Sequence, residues 1–264
     1  MKFDCLASAA LLCAATLSTS IHAAGPLPIR VILVGDSTMA TRTGYGDAFC
    51  ARFNPEVSCI NLAKGGRSSG SFRAEGRWDE VQRLLKDGAG FSATYVLVQF
   101  GHNDQPGKPG RSTDFVTEFP ANMARYAQET KALGGVPVLV TPLSRRTFHG
   151  QYLHNDLAPW ADATRKMAAR EHAVLLDLNA DSHAAVQAMG QAEADTLAMA
   201  PPPSVLPSGP QDPNKVEPQG AAKSAFDRTH VGAKGADLFA TMVEREMVHA
   251  LPGTRSYFKD GGKQ

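Results

Sequence analysis

Three residues of this 264-residue chain have types and spacing suited to acyl transfer: Ser37, Asp227 and His230. A serine hydroxyl is a weak nucleophile until a neighbouring imidazole takes its proton. That imidazole needs its other nitrogen held, and its cationic form stabilised, by a carboxylate. In Asp227-Arg228-Thr229-His230 the acid stands three residues before the base, so one short turn lets them meet. Two further segments offer donors for a developing oxyanion: Lys64-Gly65-Gly66-Arg67-Ser68-Ser69-Gly70, with bare backbone N–H groups, and Gly101-His102-Asn103-Asp104, with an uncharged side-chain amide. Each segment taken alone has an ordinary use as well. Asp36 and Ser37 are good helix caps, Gly-rich and Asn-Asp stretches are turn material, and Asp227 or Thr229 could cap a last helix with His230 on the surface.

The elements that must position these residues follow from hydrophobic periodicity. Short apolar runs at Ile29 to Val34, Val57 to Leu62, Tyr95 to Phe100, Val136 to Val140 and Val174 to Leu178 read as five buried strands. Helical patterns lie between them at about Gly44 to Phe53, Trp78 to Lys86, Phe115 to Leu133 and Asp156 to His172, and Asp237 to Leu251 follows. Alternating strands and helices predict an α/β domain with a parallel sheet covered on both faces. Ligands bind such sheets outside the carboxyl ends of the strands. Ser37, the Gly65-Gly66 pair and Asn103 each follow one of the first three runs.

A rival nucleophile is present. Gly66-Arg67-Ser68-Ser69-Gly70 fits the G-x-S-x-G elbow of α/β-hydrolases, with Asp and His later in the chain. That fold, however, carries its acid and its histidine on separate loops, and Ser68 would leave the segments around Ser37 and Asn103 without a role.

At this point the residues resemble a known family. Gly-Asp-Ser after the first strand, a glycine after the second, Gly-x-Asn-Asp after the third and Asp-x-x-His before the last helix are the blocks of SGNH (GDSL) hydrolases, in order. The resemblance runs from Ile29 to about Ala250. Gly35-Asp36-Ser37-Thr38-Met39, Gly66-Arg67-Ser68, Gly76-Arg77-Trp78, Phe100-Gly101-His102-Asn103-Asp104, Thr141-Pro142-Leu143 and Asp227-Arg228-Thr229-His230 resemble the rhamnogalacturonan acetylesterase branch. It implies a three-layer, flavodoxin-like α/β fold with a five-stranded parallel sheet. It makes Ser37 the nucleophile and Asp227 and His230 its partners, with the Ser37 and Gly66 amides and the Asn103 side chain as the oxyanion hole. Gly65 also aligns with the family glycine, and the Arg67-Ser68 that follows favours Gly66. The implied substrate is an acetylated plant polysaccharide. A lipase or lysophospholipase acting on longer acyl esters is the alternative, because the same blocks serve many acyl groups.

The rest of the chain bounds the partners. Lys plus Arg (27) nearly balance Asp plus Glu (26), so charge points to neither nucleic acid nor anionic membrane. Lys2, the apolar run Leu6 to Leu17 and the small residues Ala23 and Ala24 read as a signal peptide over residues 1–24. This leaves one esterase domain over 25–264, secreted or periplasmic. No second stretch approaches the length of a membrane helix. Cys50 and Cys59 remain as an even pair, either bridged or as two buried thiols. His149 and His154 lack metal-site partners, so no zinc and no other cofactor is expected, and a monomer is. Arg67, Arg77, Arg145 and Arg146 could meet uronic acids or face solvent, and Trp78 and Trp160 could stack on sugars or belong to the core. The segment from Asp181 to Ala225, Ala-rich helical sequence and then Pro-rich, is expected as a loop bordering the site or as a solvated excursion with no ligand role.

Overall fold

The computed structural model describes residues 27–203 and 226–261. The proposed signal peptide, and the part of the Pro-rich stretch at 204–225, lie outside these residues.

Five strands form one parallel sheet: β1 (Ile29–Gly35), β2 (Ser58–Asn61), β3 (Ala93–Gln99), β4 (Val136–Val140) and, last in the sheet, Val174–Leu176. A two-stranded hairpin, β5 (Phe148–His149) and β6 (Tyr152–Leu153), precedes that last strand, which is therefore β7. The sheet order is β2-β1-β3-β4-β7, with every neighbouring pair parallel. All five runs read from the sequence are therefore strands. The central ones, β1, β3 and β4, were legible because a strand buried on both faces must be largely apolar.

β1 shows this directly. Val31, Ile32, Leu33 and Val34 are all fully buried, yet they serve opposite faces. Val31 and Leu33 join a core with Phe49, Phe239 and Val243, whereas Ile32 and Val34 join a core with Val81, Met123 and Tyr126. Each such side chain contributes about 1.5–3 kcal/mol through burial. The first core lies under α1 (Gly46–Cys50) and a C-terminal helix at Ala233–Ala250. The second lies under helices at Arg77–Lys86, Glu118–Ala132 and Ala158–Arg170. In chain order the helices after α1 are α2 (Ser69–Ala74), α3 (77–86), α4 (118–132), α5 (158–170), α6 (Leu178–Asp195) and α7 (233–250).

Two expectations need correction, and a third is narrowed. α2 was not anticipated, since Ser-Gly-Ser-Phe-Arg-Ala has poor helix propensity; it is held by a reciprocal capping box between Ser68 and Ser71. The loop expected within 181–225 can begin only after the Ala-rich sequence at its start, which is helical as read: α6 runs to Asp195 with non-helical backbone at Gly190. α4 begins at Glu118 and not at Phe115, because the Asp114 carboxylate accepts the Val116 and Thr117 N–H groups and turns the chain first. Cys50 and Cys59 form a disulfide that joins the end of α1 to β2.

Candidate active site

The sheet order reverses direction between β1 and β3, and in sheets of this kind ligands bind outside the carboxyl ends of the strands at such a point. Gly35 ends β1, and Asp36 to Ala40 form a hydrogen-bonded turn, with Ala40 N–H donating to the Asp36 carbonyl at 3.0 Å. The Asp36 carboxylate is fully buried and accepts from Thr38 N–H (2.9 Å) and Thr38 Oγ1 (2.8 Å). Burial alone would raise its pKa, but His102 and Thr38 together hold it below the ordinary value. Ser37 therefore sits on a braced turn and not on the helix N-terminus that its neighbours allowed, for α1 starts only at Gly46.

His230 Nε2 lies 2.8 Å from Ser37 Oγ, and His230 Nδ1 lies 2.8 Å from Asp227 Oδ2. The other Asp227 oxygen accepts the Thr229 (2.8 Å) and His230 (2.6 Å) backbone N–H groups. Burial works against the charged carboxylate, yet His230 and these N–H groups outweigh it and pull Asp227 down to about 2. It is ionised across the neutral range, as an orienter of imidazole must be.

The turn that carries Asp227 and His230 is clamped from below. Arg146 is fully buried and donates through Nη2 to the carbonyls of Asp227 (2.9 Å) and His230 (2.7 Å), while Arg228 pairs with Asp195 at 2.9 Å. Thr43 ties the same segment to the serine: its Oγ1 donates to the Ser37 carbonyl (2.7 Å), and its carbonyl accepts the Val231 N–H (3.0 Å). Neither Arg146 nor Thr43 was singled out as a positioning residue. Their partners are backbone atoms far along the chain, which leave no local pattern.

On the opposite side, Asn103 donates through Nδ2 to the Arg67 carbonyl at 3.0 Å, and among the described residues its second amide hydrogen has no acceptor. Gly66 has φ +80°, a backbone state that side-chain-bearing residues rarely adopt. Among the described residues, the Ser37, Gly65 and Gly66 N–H groups have no hydrogen-bond acceptor. Gly65 lies close to the serine, since a Cβ there would stand 3.6 Å from Ser37 Cβ. One acid couples the two donor segments: Asp104, fully buried, accepts from Ser69 N–H, Ser69 Oγ and Thr113 Oγ1. Its burial pushes its pKa up to about 6.

Ser68, the rival, is fully buried, and its hydroxyl accepts the Ser71 N–H as the cap of α2. His102 is buried beside Asp36, with Nδ1 3.3 Å from Oδ2, and burial lowers its pKa against the pull of that carboxylate. The other candidates have structural partners. Arg67 and Arg77 both pair with Glu75, Arg145 pairs with Asp156, and Trp78 packs in the core edge-on to Tyr126. Trp160 is half-buried against Phe115, and His149 stacks on His154.

The arrangement can relay a proton from a serine hydroxyl to a carboxylate-held imidazole beside unspent amide donors. Comparison with known proteins bears on what such a site serves. A model of the GDSL-like Lipase/Acylhydrolase family matches residues 33–238. Rhamnogalacturonan acetylesterase RhgT of Bacillus subtilis is 33% identical over 225 residues, covering 82% of this chain and 88% of the relative. Probable rhamnogalacturonan acetylesterase YesY of the same organism is 27% identical over 239 residues, covering 88% and 98%. Among solved structures, the acetylxylan esterase Axe2 of Geobacillus stearothermophilus superposes with a TM-score of 0.58 at 18% identity, covering 83% of this chain and 93% of that one. At that identity the likeness is one of fold.

Proposed function

The chain belongs to the GDSL-like lipase/acylhydrolase family, and on that footing we propose that it is a serine esterase removing acetyl groups from plant cell-wall polysaccharide, with rhamnogalacturonan as the substrate class. The observation that carries the reading is the continuous relay Ser37 Oγ to His230 Nε2 and His230 Nδ1 to Asp227, both links at 2.8 Å. The two Bacillus subtilis relatives support the choice of substrate.

In this mechanism Ser37 Oγ attacks the acetyl carbonyl while its proton passes to His230. The tetrahedral oxyanion rests on the Ser37 and Gly66 N–H groups and the spare Asn103 amide hydrogen. Collapse breaks the bond to the sugar oxygen, which leaves with the proton from His230. Water, deprotonated by the same imidazole, then attacks the acetyl-enzyme and releases acetate, returning the proton to Ser37. Asp227 stays ionised and stabilises the imidazolium at both stages. Secretion or export to a periplasm is part of the proposal, supported by the pattern of residues 1–24 and by the Cys50–Cys59 bridge, which suits an oxidising compartment.

The test is acetate release from acetylated rhamnogalacturonan and acetylated xylan, with Ser37→Ala and Ser68→Ala beside the wild type. Ser37→Ala abolishes release, and Ser68→Ala leaves a working enzyme. A preference for long acyl esters over acetyl esters would move the reading to a lipase, and loss of activity only in Ser68→Ala would end the assignment of the nucleophile.

A further inference from the structure

Between Asp104 and α4 the chain makes a loop that is closed on itself. Ser112 Oγ donates to the Gln105 carbonyl (2.7 Å) and accepts the Lys108 N–H (2.8 Å), and Arg111 N–H donates to the Lys108 carbonyl (3.0 Å). Thr113 returns the loop to the site, with N–H on the Asp104 carbonyl (3.1 Å) and Oγ1 on the Asp104 carboxylate (2.9 Å). The buried Lys108 ammonium, bonded to the His102 carbonyl, pins the loop from inside.

This loop carries Arg111 to the oxyanion glycine. Arg111 Nη1 lies 3.7 Å from where a Cβ on Gly66 would stand, and the side chain is half-buried. Among the described residues its guanidinium has no hydrogen-bond or ion-pair partner. The arginines around it differ in this respect, for Arg67 is spent on Glu75, Arg145 on Asp156, Arg146 on backbone carbonyls and Arg228 on Asp195. An unpaired guanidinium held beside the catalytic crevice is suited to one ligand above others, a carboxylate, which it can take with two parallel N–H donors.

We propose that Arg111 is a specificity-determining residue that binds the carboxylate of a uronic acid in the acetylated chain while the acetyl carbonyl occupies the donor cluster of Ser37, Gly66 and Asn103. The proposal rests on the reading of this site as a polysaccharide acetylesterase and adds what the site recognises beside the ester. An acetyl group on a ring hydroxyl leaves the carboxylate of that ring, or of the adjoining sugar, within reach of a side chain seated over Gly66. The carboxylate gives no electrons and takes no proton in the reaction, so it fixes the position of the ester without entering the chemistry.

Two measurements decide it. The first is the ratio of kcat/KM for acetylated rhamnogalacturonan oligosaccharides to that for the same oligosaccharides after reduction of their carboxyl groups. Damage that touches both substrates alike cancels in this ratio. The wild type should favour the uronate form about tenfold or more, Arg111→Gln should bring the ratio near one, and Arg111→Lys should fall between. The second is inhibition of 4-nitrophenyl acetate hydrolysis by unacetylated galacturonate oligomers, whose Ki should rise about tenfold or more in Arg111→Gln. A ratio unchanged by Arg111→Gln, a parallel loss on both substrates, or a wild-type ratio near one overturns the proposal. If the enzyme deacetylates neither oligosaccharide, the second arm decides. A Ki that responds to Arg111 upholds the carboxylate site and removes rhamnogalacturonan as the substrate, and a Ki that does not respond overturns the site.

Discussion

The side-chain amide of Asn103 is bonded to the main-chain carbonyl of Arg67 at 3.0 Å, so the turn after β3 is fastened to the turn after β2 at the point where both offer donors. One hydrogen of that amide fixes its direction, and among the described residues the other has no acceptor. Asn103→Ala should therefore lower kcat by on the order of 10²–10³-fold with a smaller change in KM, since the lost donor acts on charge that develops in the transition state. Steady-state kinetics on a small acetyl ester checks this. A loss confined to KM would mean that Asn103 binds substrate and does not serve the oxyanion.

Arg146 touches no reacting atom, yet it holds the carbonyls on both sides of the Asp227 to His230 turn. Arg146→Ala should lower kcat by about 10- to 100-fold with KM nearly constant, through misplacement of the imidazole. It should also destabilise the fold by about 2–4 kcal/mol, because a fully buried side chain is removed and two carbonyls lose their donor. Arg146→Lys, which keeps a donor, should recover part of both. A variant as active as the wild type but less stable would reduce Arg146 to a purely structural residue.

Asp104 sets a pH dependence of opposite sign to that of most carboxylates. Its carboxyl is pushed up to about 6 by burial, so the native state binds this proton more tightly than the unfolded chain. Stability therefore falls as pH rises from about 4 to about 6, and the full cost, about 3 kcal/mol, is present above that window. Asp227, held down to about 2, acts lower: its contribution is present above about pH 4 and is lost as pH falls from there towards 2. Asp104→Asn keeps an acceptor for Ser69 and should flatten the upper slope. Denaturant unfolding at about pH 4 and about pH 7 measures it, and equal slopes in both proteins would assign that titration to another group.

The Cys50–Cys59 bridge closes a loop with a sequence separation of 9, far from the relay. Replacing both cysteines by serine should cost about 2.5 kcal/mol of stability through the unfolded chain's regained freedom. Turnover at low temperature should be retained. Urea midpoints and kcat measured on the same preparation separate the two effects, and a loss of kcat in the still-folded variant would tie the bridge to the site.

How much of this was legible in the sequence depended on where each residue's partners lie. The strands could be read because Val31 to Val34 declare two-sided burial within four residues. The candidate residues could be proposed because the glycine and Asn103 follow strands, and Asp227 and His230 precede the last helix, in a fixed order along the chain. The choice between two serines was made in the sequence on motif context alone, and what no motif could show is how each serine is held. Ser68 is set apart from Ser37 by a bond to Ser71 and by complete burial, neither of which a motif records. Likewise, the sequence offered Arg67, Arg77, Arg145 and Arg146 as candidates for substrate contact, and all four are occupied within the protein. Arg111, which has no partner among the described residues, lies in a Gly-Pro segment with no periodicity, and only the closure of its loop on Asp104 brings it to Gly66.

Ser37 and His230 are separated by 193 positions in the chain and by 2.8 Å in space. The serine turn, the donor glycine and Asn103 all emerge early in synthesis, but the base arrives only with the last turn before α7. Docking of α7 against the β1 face depends on core contacts with Phe239 and Val243. On the proposed mechanism hydrolysis should therefore require the completed fold, and a chain truncated before Asp227 should be inert whatever part of the sheet it assembles. Recovery of esterase activity during refolding would time the docking of the final helix, where backbone spectroscopy, dominated by the earlier elements, would not.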